Sequence, residues 1–265
     1  MGAPIGCFYG WKTAGIMTDA DFNEDGSPKV PVFSSGSTYT PGDMKFVDVN
    51  GDGVIDDSDR TFIGNPNPDF YYGFNINMEY KGFDLSMFFQ GVAGNEIYDV
   101  TKYFRYSNVA YNGVWENLNY LSYSNVAKDY FDKVWRPVPD PANPSYRDHW
   151  GANLNGTVPL PSSDGTKNEM NFRNSDFYIQ DGSYLRLKNI QLGYTFPKKW
   201  VNKLSVSNLR VYASATNLFT ITSYDGLDPE VGKTSGQESN NLYLGIDQGV
   251  YPQARSYMFG VIIDF

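Results

Sequence analysis

The 265 residues include one cysteine and one histidine. A lone cysteine excludes an internal disulfide framework and any cysteine-based zinc site. The histidine, His149, leaves little room for His-dependent catalysis or a multi-His metal centre, and between Asp148 and Trp150 it reads as an ordinary polar loop residue. Basic residues are outnumbered, 21 Lys+Arg against 30 Asp+Glu, for a net charge of −9. That balance argues against nucleic acid as a partner, because neutralising phosphates needs a basic face. No stretch approaches the ~18 consecutive apolar residues of a membrane helix. A transmembrane barrel stays open, since its strands alternate apolar and polar residues. Enzyme signatures are missing as well: no Gly-x-Ser-x-Gly, no phosphate-cradling glycine loop and no Cys/His pair. Acids are abundant, but sequence spacing alone does not make a glycosidase pair of them. The chain is not expected to be an enzyme. Its start, Met1-Gly2-Ala3-Pro4-Ile5, has neither the basic nor the apolar region of a signal peptide. Read literally this keeps the chain in the cytoplasm, but the rest of the sequence favours a mature or excised piece.

Aromatic residues are plentiful, 17% of the chain with 21 Tyr and 18 Phe, and period-2 patterns dominate. Phe70, Tyr72, Phe74, Ile76, Met78 and Tyr80 alternate with Tyr71, Gly73, Asn75, Asn77 and Glu79. Lys81-Gly82 forms a tight turn, after which Phe83, Leu85, Met87 and Phe89 resume the apolar face, so a hairpin is expected. Further alternating runs carry Ile190, Leu192, Tyr194 and Phe196, then Leu209, Val211, Ala213 and Ala215, then Tyr257, Phe259, Val261, Ile263 and Phe265. The expected strands are about 70–80, 83–92, 184–196, 208–218 and 255–265. At about 9–12 residues each, they have the length a tilted strand needs to cross hydrocarbon, whereas a globular strand is nearer ~5–6.

Connections alternate in length. Those around Lys81-Gly82 and Pro197–Ser207 are short, while 93–183 and 219–254 are long loops. In outer-membrane barrels the short turns are periplasmic and the long loops extracellular, which puts the C-terminus in the periplasm. A soluble β-sandwich with one wet face per sheet alternates in the same way, and pattern alone leaves both open. Within the first long loop, Tyr98, Tyr103, Tyr106, Tyr111, Trp115, Trp135 and Trp150 stand beside Asn and Asp. Such rings stack on sugars, but more often they pack a long loop against its surroundings. A short helix is expected at 126–134, ended by Pro137, Pro139 and Pro141.

The run Asp48-Val49-Asn50-Gly51-Asp52-Gly53-Val54-Ile55-Asp56-Asp57-Ser58-Asp59 fits the spacing of an EF-hand-type calcium loop. Hard oxygens wrapped round one ion are what Ca²⁺ needs. Asp48, Asn50, Asp52 and Asp56 supply side-chain oxygens, Val54 supplies its carbonyl, and Asp59 stands where a glutamate is usual. Gly53 occupies the sharp turn. An Asx-rich solvated turn with no ion has a similar composition. Without a helical pattern before the loop, the expected role is to stiffen it.

Several blocks, taken together, resemble one family. Pro41-Gly42-Asp43-Met44-Lys45-Phe46 leads into the calcium-type loop, and Arg60-Thr61-Phe62-Ile63-Gly64-Asn65-Pro66-Asn67-Pro68-Asp69-Phe70 leads into the hairpin ending Phe89-Gln90-Gly91. Asp181-Gly182-Ser183-Tyr184-Leu185-Arg186-Leu187-Lys188-Asn189 follows, then Leu209-Arg210-Val211-Tyr212 with Thr216-Asn217-Leu218-Phe219, and a tail from Pro252 to Phe265. In order and spacing they resemble the C-terminal portion of SusC/RagA-type TonB-dependent outer-membrane transporters of Bacteroidetes.

The resemblance implies an all-β fold: antiparallel strands from the C-terminal end of a large, 22-stranded transmembrane β-barrel with long extracellular loops. It divides the chain into 1–69, an extracellular loop region holding the calcium loop 48–59, and 70–265, the last five barrel strands with their loops. It implies active uptake of oligosaccharides or peptides with a SusD-like lipoprotein as lid. Energy would come from TonB acting on a plug domain that these residues do not contain. The tail ending on Phe265 resembles the signal read by the barrel-assembly machinery, although any lipid-facing edge strand ends naturally on Phe. The alternative of another class is a soluble, non-catalytic, calcium-dependent carbohydrate-binding β-domain.

Overall fold

The computed structural model describes residues 2, 4–34, 39–107, 127–142, 151–160, 165–201, 206–232 and 243–265. The chain divides into two units, Met1–Gly64 with Tyr98–Ile179, and Asn65–Ile97 with Gln180–Phe265.

The second unit is built on the alternating sequences. An extended chain sends successive side chains to opposite faces, so alternation gives each strand two chemically distinct sides. Five long strands result: β1 (Phe70–Tyr80), β2 (Phe83–Ala93), β3 (Tyr184–Thr195), β4 (Asn208–Thr216) and β5 (Ser256–Asp264). They pair in chain order, each antiparallel to the next.

Register keeps like with like. Phe74 faces Phe89 with rings stacked at 4.7 Å, Met78 faces Leu85, and Ala213 faces both Leu192 and Phe259. On the other side Asn77 faces Ser86, Gln191 faces Ser86 and Ser214, and Tyr212 faces Gly193 and Gly260. The apolar side is bare: Phe259 is 83% exposed and Leu192 50%. A soluble sandwich would bury that side against a second sheet.

The β1–β2 turn is Lys81-Gly82, with φ of 48° and 88°. Positive φ at both positions is the mirror-image turn whose twist matches paired strands. A Cβ on Gly82 would stand 2.7 Å from the Thr195 carbonyl oxygen, so both backbone angle and space demand glycine.

The expected fourth strand, 208–218, does not run unbroken. It stops at Thr216, Asn217 turns with φ 50°, and Thr220–Thr222 resumes pairing with Tyr184–Arg186. The cause lies on β3, where register shifts between Leu187 and Asn189, making Lys188 the extra residue of a bulge. The amides of Asn217 and Leu218 donate to the carbonyls of Lys188 and Leu187, stitching the irregularity shut.

The first unit holds the conventional core. One buried cluster includes Trp11, Met17, Phe33, Met44, Phe46, Ile55, Trp135 and Met170, and a second joins Tyr106, Tyr130, Val134, Val158 and Phe172. Its strands are only two to four residues long. By contacts, Met1–Gly64 groups with Tyr98–Ile179, whereas the sequence reading places a division at 69. The short helix spans Tyr130–Lys133.

We predict that Gly82→Ala lowers the stability of the folded sheet by about 1–2 kcal/mol, the cost of left-handed backbone with a Cβ. A thermal unfolding midpoint equal to that of the unmutated protein would contradict this account of the turn.

Candidate functional sites

The acidic loop Asp48–Asp59 lies in the first unit. Gly51 and Gly53, with φ of 76° and 87°, let the chain double back. Asp48 then accepts from the amides of Gly51 (2.6 Å) and Gly53 (2.8 Å), and Asp52 accepts from that of Val54 (2.9 Å). Val54–Ile55 pairs in parallel with Val32–Phe33, and a 3₁₀ turn follows at Asp57–Asp59. Asp56 caps that turn. The Ser58 hydroxyl and amide both donate to it and hold its carboxyl below the usual carboxylate range. Asp59 is fully buried and accepts from the amides of Val49 (2.8 Å), Asn50 (3.3 Å) and Asp56 (2.8 Å). The Asn50 amide group donates to Asp52 (3.0 Å) and Ser58 (2.8 Å).

The donor set suits a hard cation in kind and spacing. Its oxygens, however, are turned onto the loop's own amides. Among the described residues no group of three or more His, Cys, Asp or Glu side chains converges as a metal would require. A carboxylate has about four acceptor sites, so the two bonds to Asp48 do not exhaust it.

The loop is tied to the core through Trp11, whose indole N–H donates to the Asp56 carbonyl at 3.0 Å. The guanidinium groups of Arg60 and Arg173 lie 4.2 and 4.8 Å from the centre of the same Trp11 ring system, and Arg173 also lies 3.8 Å from that of Phe33. Burial pulls the pKa of Arg173 down. Arg60 follows the loop directly and pairs with its Asp57 at 2.6 Å, whereas nothing in the spacing of the sequence links Arg173 to it.

The second unit offers a polar wall. On it Arg210 grips Asp84 with two bonds (2.6 and 3.1 Å) that pass over Gly193, where a Cβ would lie 2.4 Å from Asp84. Farther along, buried Arg186 donates to Thr220 (2.7 Å), Glu230 (2.7 Å) and Asp228 (2.5 Å), and Lys188 reaches Glu230 at 2.7 Å. Asp228 also accepts from the amides of Glu230 and Gln253. Burial works to raise the Asp228 pKa, but the Gln253 amide, Arg186 and the Glu230 amide outweigh it and hold the carboxyl below its usual range. Tyr224 is pinned separately, its hydroxyl donating to buried Asp247 at 2.5 Å. Part of the expected long loop 219–254 is thus clamped onto the wall. The one signal in the sequence is the placing of two cations, Arg186 and Lys188, in one strand.

Of the loop aromatics, Tyr106 and Trp135 are buried, Tyr98 stacks on Tyr178 at 5.3 Å, and Tyr103 meets Phe172 edge-on at 6.2 Å. These pack the first unit. Tyr111, Trp115, His149 and Trp150 lie outside the described residues. Phe265 is 94% exposed, immediately after β5.

No family model matches the sequence. TonB-dependent receptor P3 of Formosa agariphila is 32% identical over 267 residues, all of this chain and 22% of the relative. TonB-dependent receptor SusC of Bacteroides thetaiotaomicron is 29% identical over 226 residues, 85% of this chain and 18% of the relative. The solved structure of the RagAB peptide importer in its closed-closed state superposes with a TM-score of 0.61 at 20% identity, covering 98% of this chain and 23% of that one. The chain thus spans about a fifth of the length of these curated relatives.

We predict that Asp228→Asn, which leaves buried Arg186 compensated by Glu230 alone of its two carboxylates, costs about 2 kcal/mol and speeds amide exchange across 223–232. Because the Asp228 pKa is depressed, its stabilisation is complete above the unfolded value of ~3.9 and is lost as pH falls through the folded value. Exchange in the unmutated protein should stay slow from neutrality down to that range. Loosening at neutral pH would contradict this.

Proposed function

We propose that this chain, which is similar to TonB-dependent receptors of the SusC kind, forms part of the barrel wall of an outer-membrane importer. The observation that supports this best is the sheet with two unlike faces: strands of 9–12 residues, apolar side chains bare on one side and Asn, Gln, Ser and Arg on the other. Hydrocarbon solvates the first face and a wet lumen the second. In water the bare face would be a large exposed apolar patch, which soluble monomers avoid. A soluble carbohydrate-binding domain is disfavoured on that ground.

The cargo we propose is an oligosaccharide or peptide, taken up with a SusD-like lipoprotein over the outer mouth. TonB acts through a plug domain elsewhere in the receptor. Short turns such as Lys81-Gly82 face the periplasm, together with the C-terminus, and Phe265 is read by the barrel-assembly machinery. The long connections face outward. We assign no reaction to the chain.

For the acidic loop we propose Ca²⁺, held by Asp48, Asn50, Asp52, the Val54 carbonyl, Asp56 and Asp59, with a structural role. Binding would turn carboxylates now satisfied by loop amides toward the ion and offset part of the chain's net charge of −9.

Two experiments test these readings. In flotation with liposomes, the receptor carrying this chain should rise with lipid and need detergent for extraction; a monodisperse protein in plain buffer would overturn the wall assignment. For the loop, Ca²⁺ should protect residues 41–65 from proteolysis, and Asp48→Ala with Asp52→Ala should abolish that protection. Cleavage unchanged by chelator in the unmutated protein would remove calcium from the account.

A further inference from the structure

At the short-turn end of the sheet, aromatic rings form an unbroken series across the apolar face. Phe83 meets Tyr194 at 4.5 Å, Tyr194 meets Phe196 at 4.9 Å, and Phe196 meets Trp200 at 6.4 Å. Trp200 is exposed and belongs to the short helix Lys198–Val201 in the β3–β4 connection. The β1–β2 turn lies beside it, since the Thr195 amide donates to the Gly82 carbonyl at 2.8 Å.

This rim is basic although the chain is acidic. Lys81, Lys198 and Lys199 are all exposed, and among the described residues no carboxylate forms an ion pair with them. Lys81 leans over the ring of Tyr80, 5.0 Å from its centre. The acids nearest in sequence and pairing, Glu79, Asp84 and Asp264, fall on the polar face by strand parity. Asp84 is taken by Arg210, and Asp264 accepts from the Asn208 side chain.

Next to the aromatic series the apolar face is hollowed. Ala213, a small residue among large ones, floors a groove walled by Leu192, Val211, Phe259 and Val261 and bounded by Phe83 and Tyr194. The groove is apolar and runs into the bare face, and Lys81 stands two residues from Phe83 at one end of it. A chain of methylenes with an anion at its head complements all of these features.

We propose that this end of the wall is a binding site for an anionic phospholipid, with one acyl chain in the groove over Ala213 and the phosphate-bearing headgroup against Lys81, Lys198 and Lys199. Trp200 and Tyr80 sit at headgroup depth, where amphipathic rings settle, and the lysine stems follow the apolar surface while their ammonium groups reach the phosphate. Each lysine near such a surface favours anionic over neutral lipid by roughly fivefold. The inference rests on the membrane-wall reading above.

The test uses the receptor containing this chain, in nanodiscs of equimolar phosphatidylcholine and phosphatidylglycerol, with retained lipid counted by native mass spectrometry. The unmutated receptor should retain phosphatidylglycerol over phosphatidylcholine by at least about fivefold. The triple variant Lys81→Gln, Lys198→Gln and Lys199→Gln should bring the ratio near parity while keeping its heat-modifiable mobility. Ala213→Phe, which fills the groove and leaves the charge unchanged, should reduce retained lipid of both kinds. A ratio near parity in the unmutated receptor, or one unmoved in the triple variant, overturns the site. So does a receptor dimer that covers this face and retains no lipid. A receptor that stays out of the bilayer overturns the wall reading and this inference with it, whereas one that inserts without headgroup preference overturns this inference alone.

Discussion

Backbone pairing from Phe70 to Asp264 is the constraint on which the rest of the second unit depends. Each long strand answers its neighbour residue by residue, Phe70 to Ala93, Tyr194 to Phe83, Asn208 to Asp264. A slip of one residue anywhere would carry every apolar side chain to the polar face and every polar one outward. The two-residue turn at Lys81-Gly82 and the bulge at Lys188 are where that register is set and corrected. Because of the bulge, Tyr184 and Arg186 share a face with Val92 and Gln90 before it, and Asn189 shares one with Phe88 after it.

Glycines let side chains lie flat on this wall. The Tyr72 ring crosses Gly91 so that its hydroxyl donates to the Tyr184 carbonyl at 3.0 Å, and a Cβ on Gly91 would stand 2.3 Å from that ring. Tyr212 lies over Gly260 in the same manner, and the Asp84–Arg210 pair closes over Gly193. Each bond spans from one strand across a second to a third, or covers a neighbour's backbone, so the pairs brace the sheet across its width. The Arg186 network adds a clamp of another kind. Its central pair, Arg186 and Asp228, is almost wholly buried, so its value lies in fixing where residues 223–232 rest more than in net stability.

The long strands were legible in the sequence because alternation over nine or more residues is a strong signal. The resemblance implies a loop region for 1–69 and the strand spacing leaves 93–183 as a long loop, and no period shows in either for a physical reason. Strands of two to four residues are too short to show a period, and the first unit's core is assembled from single residues far apart, such as Trp11, Phe46, Trp135 and Met170. In the acidic loop the spacing shows only which side chains carry oxygens in a calcium-type order. It did not reveal that Asp59 is buried and serves three backbone amides, because burial depends on Val49, Asn50 and Asp56 folding over it. The Arg186 clamp was equally hidden, since its acids lie more than forty residues downstream.

The edges of the sheet bear on how the wall is used. β1 and β5 each pair on one side only among the described residues, which leaves a row of amides and carbonyls along Phe70–Tyr80 and another along Ser256–Asp264. An open edge of nine or more residues, flanked by bare aromatics, invites aggregation in water. In hydrocarbon it is worse, because every unpaired backbone group there costs several kcal/mol. Neither edge is protected by a proline, and β5 sets Phe259, Val261 and Ile263 beside its free side. An open sheet of this kind is therefore unfavourable in either solvent. The arrangement becomes favourable when further strands of the same receptor continue the ladder at both edges, as a closed barrel does.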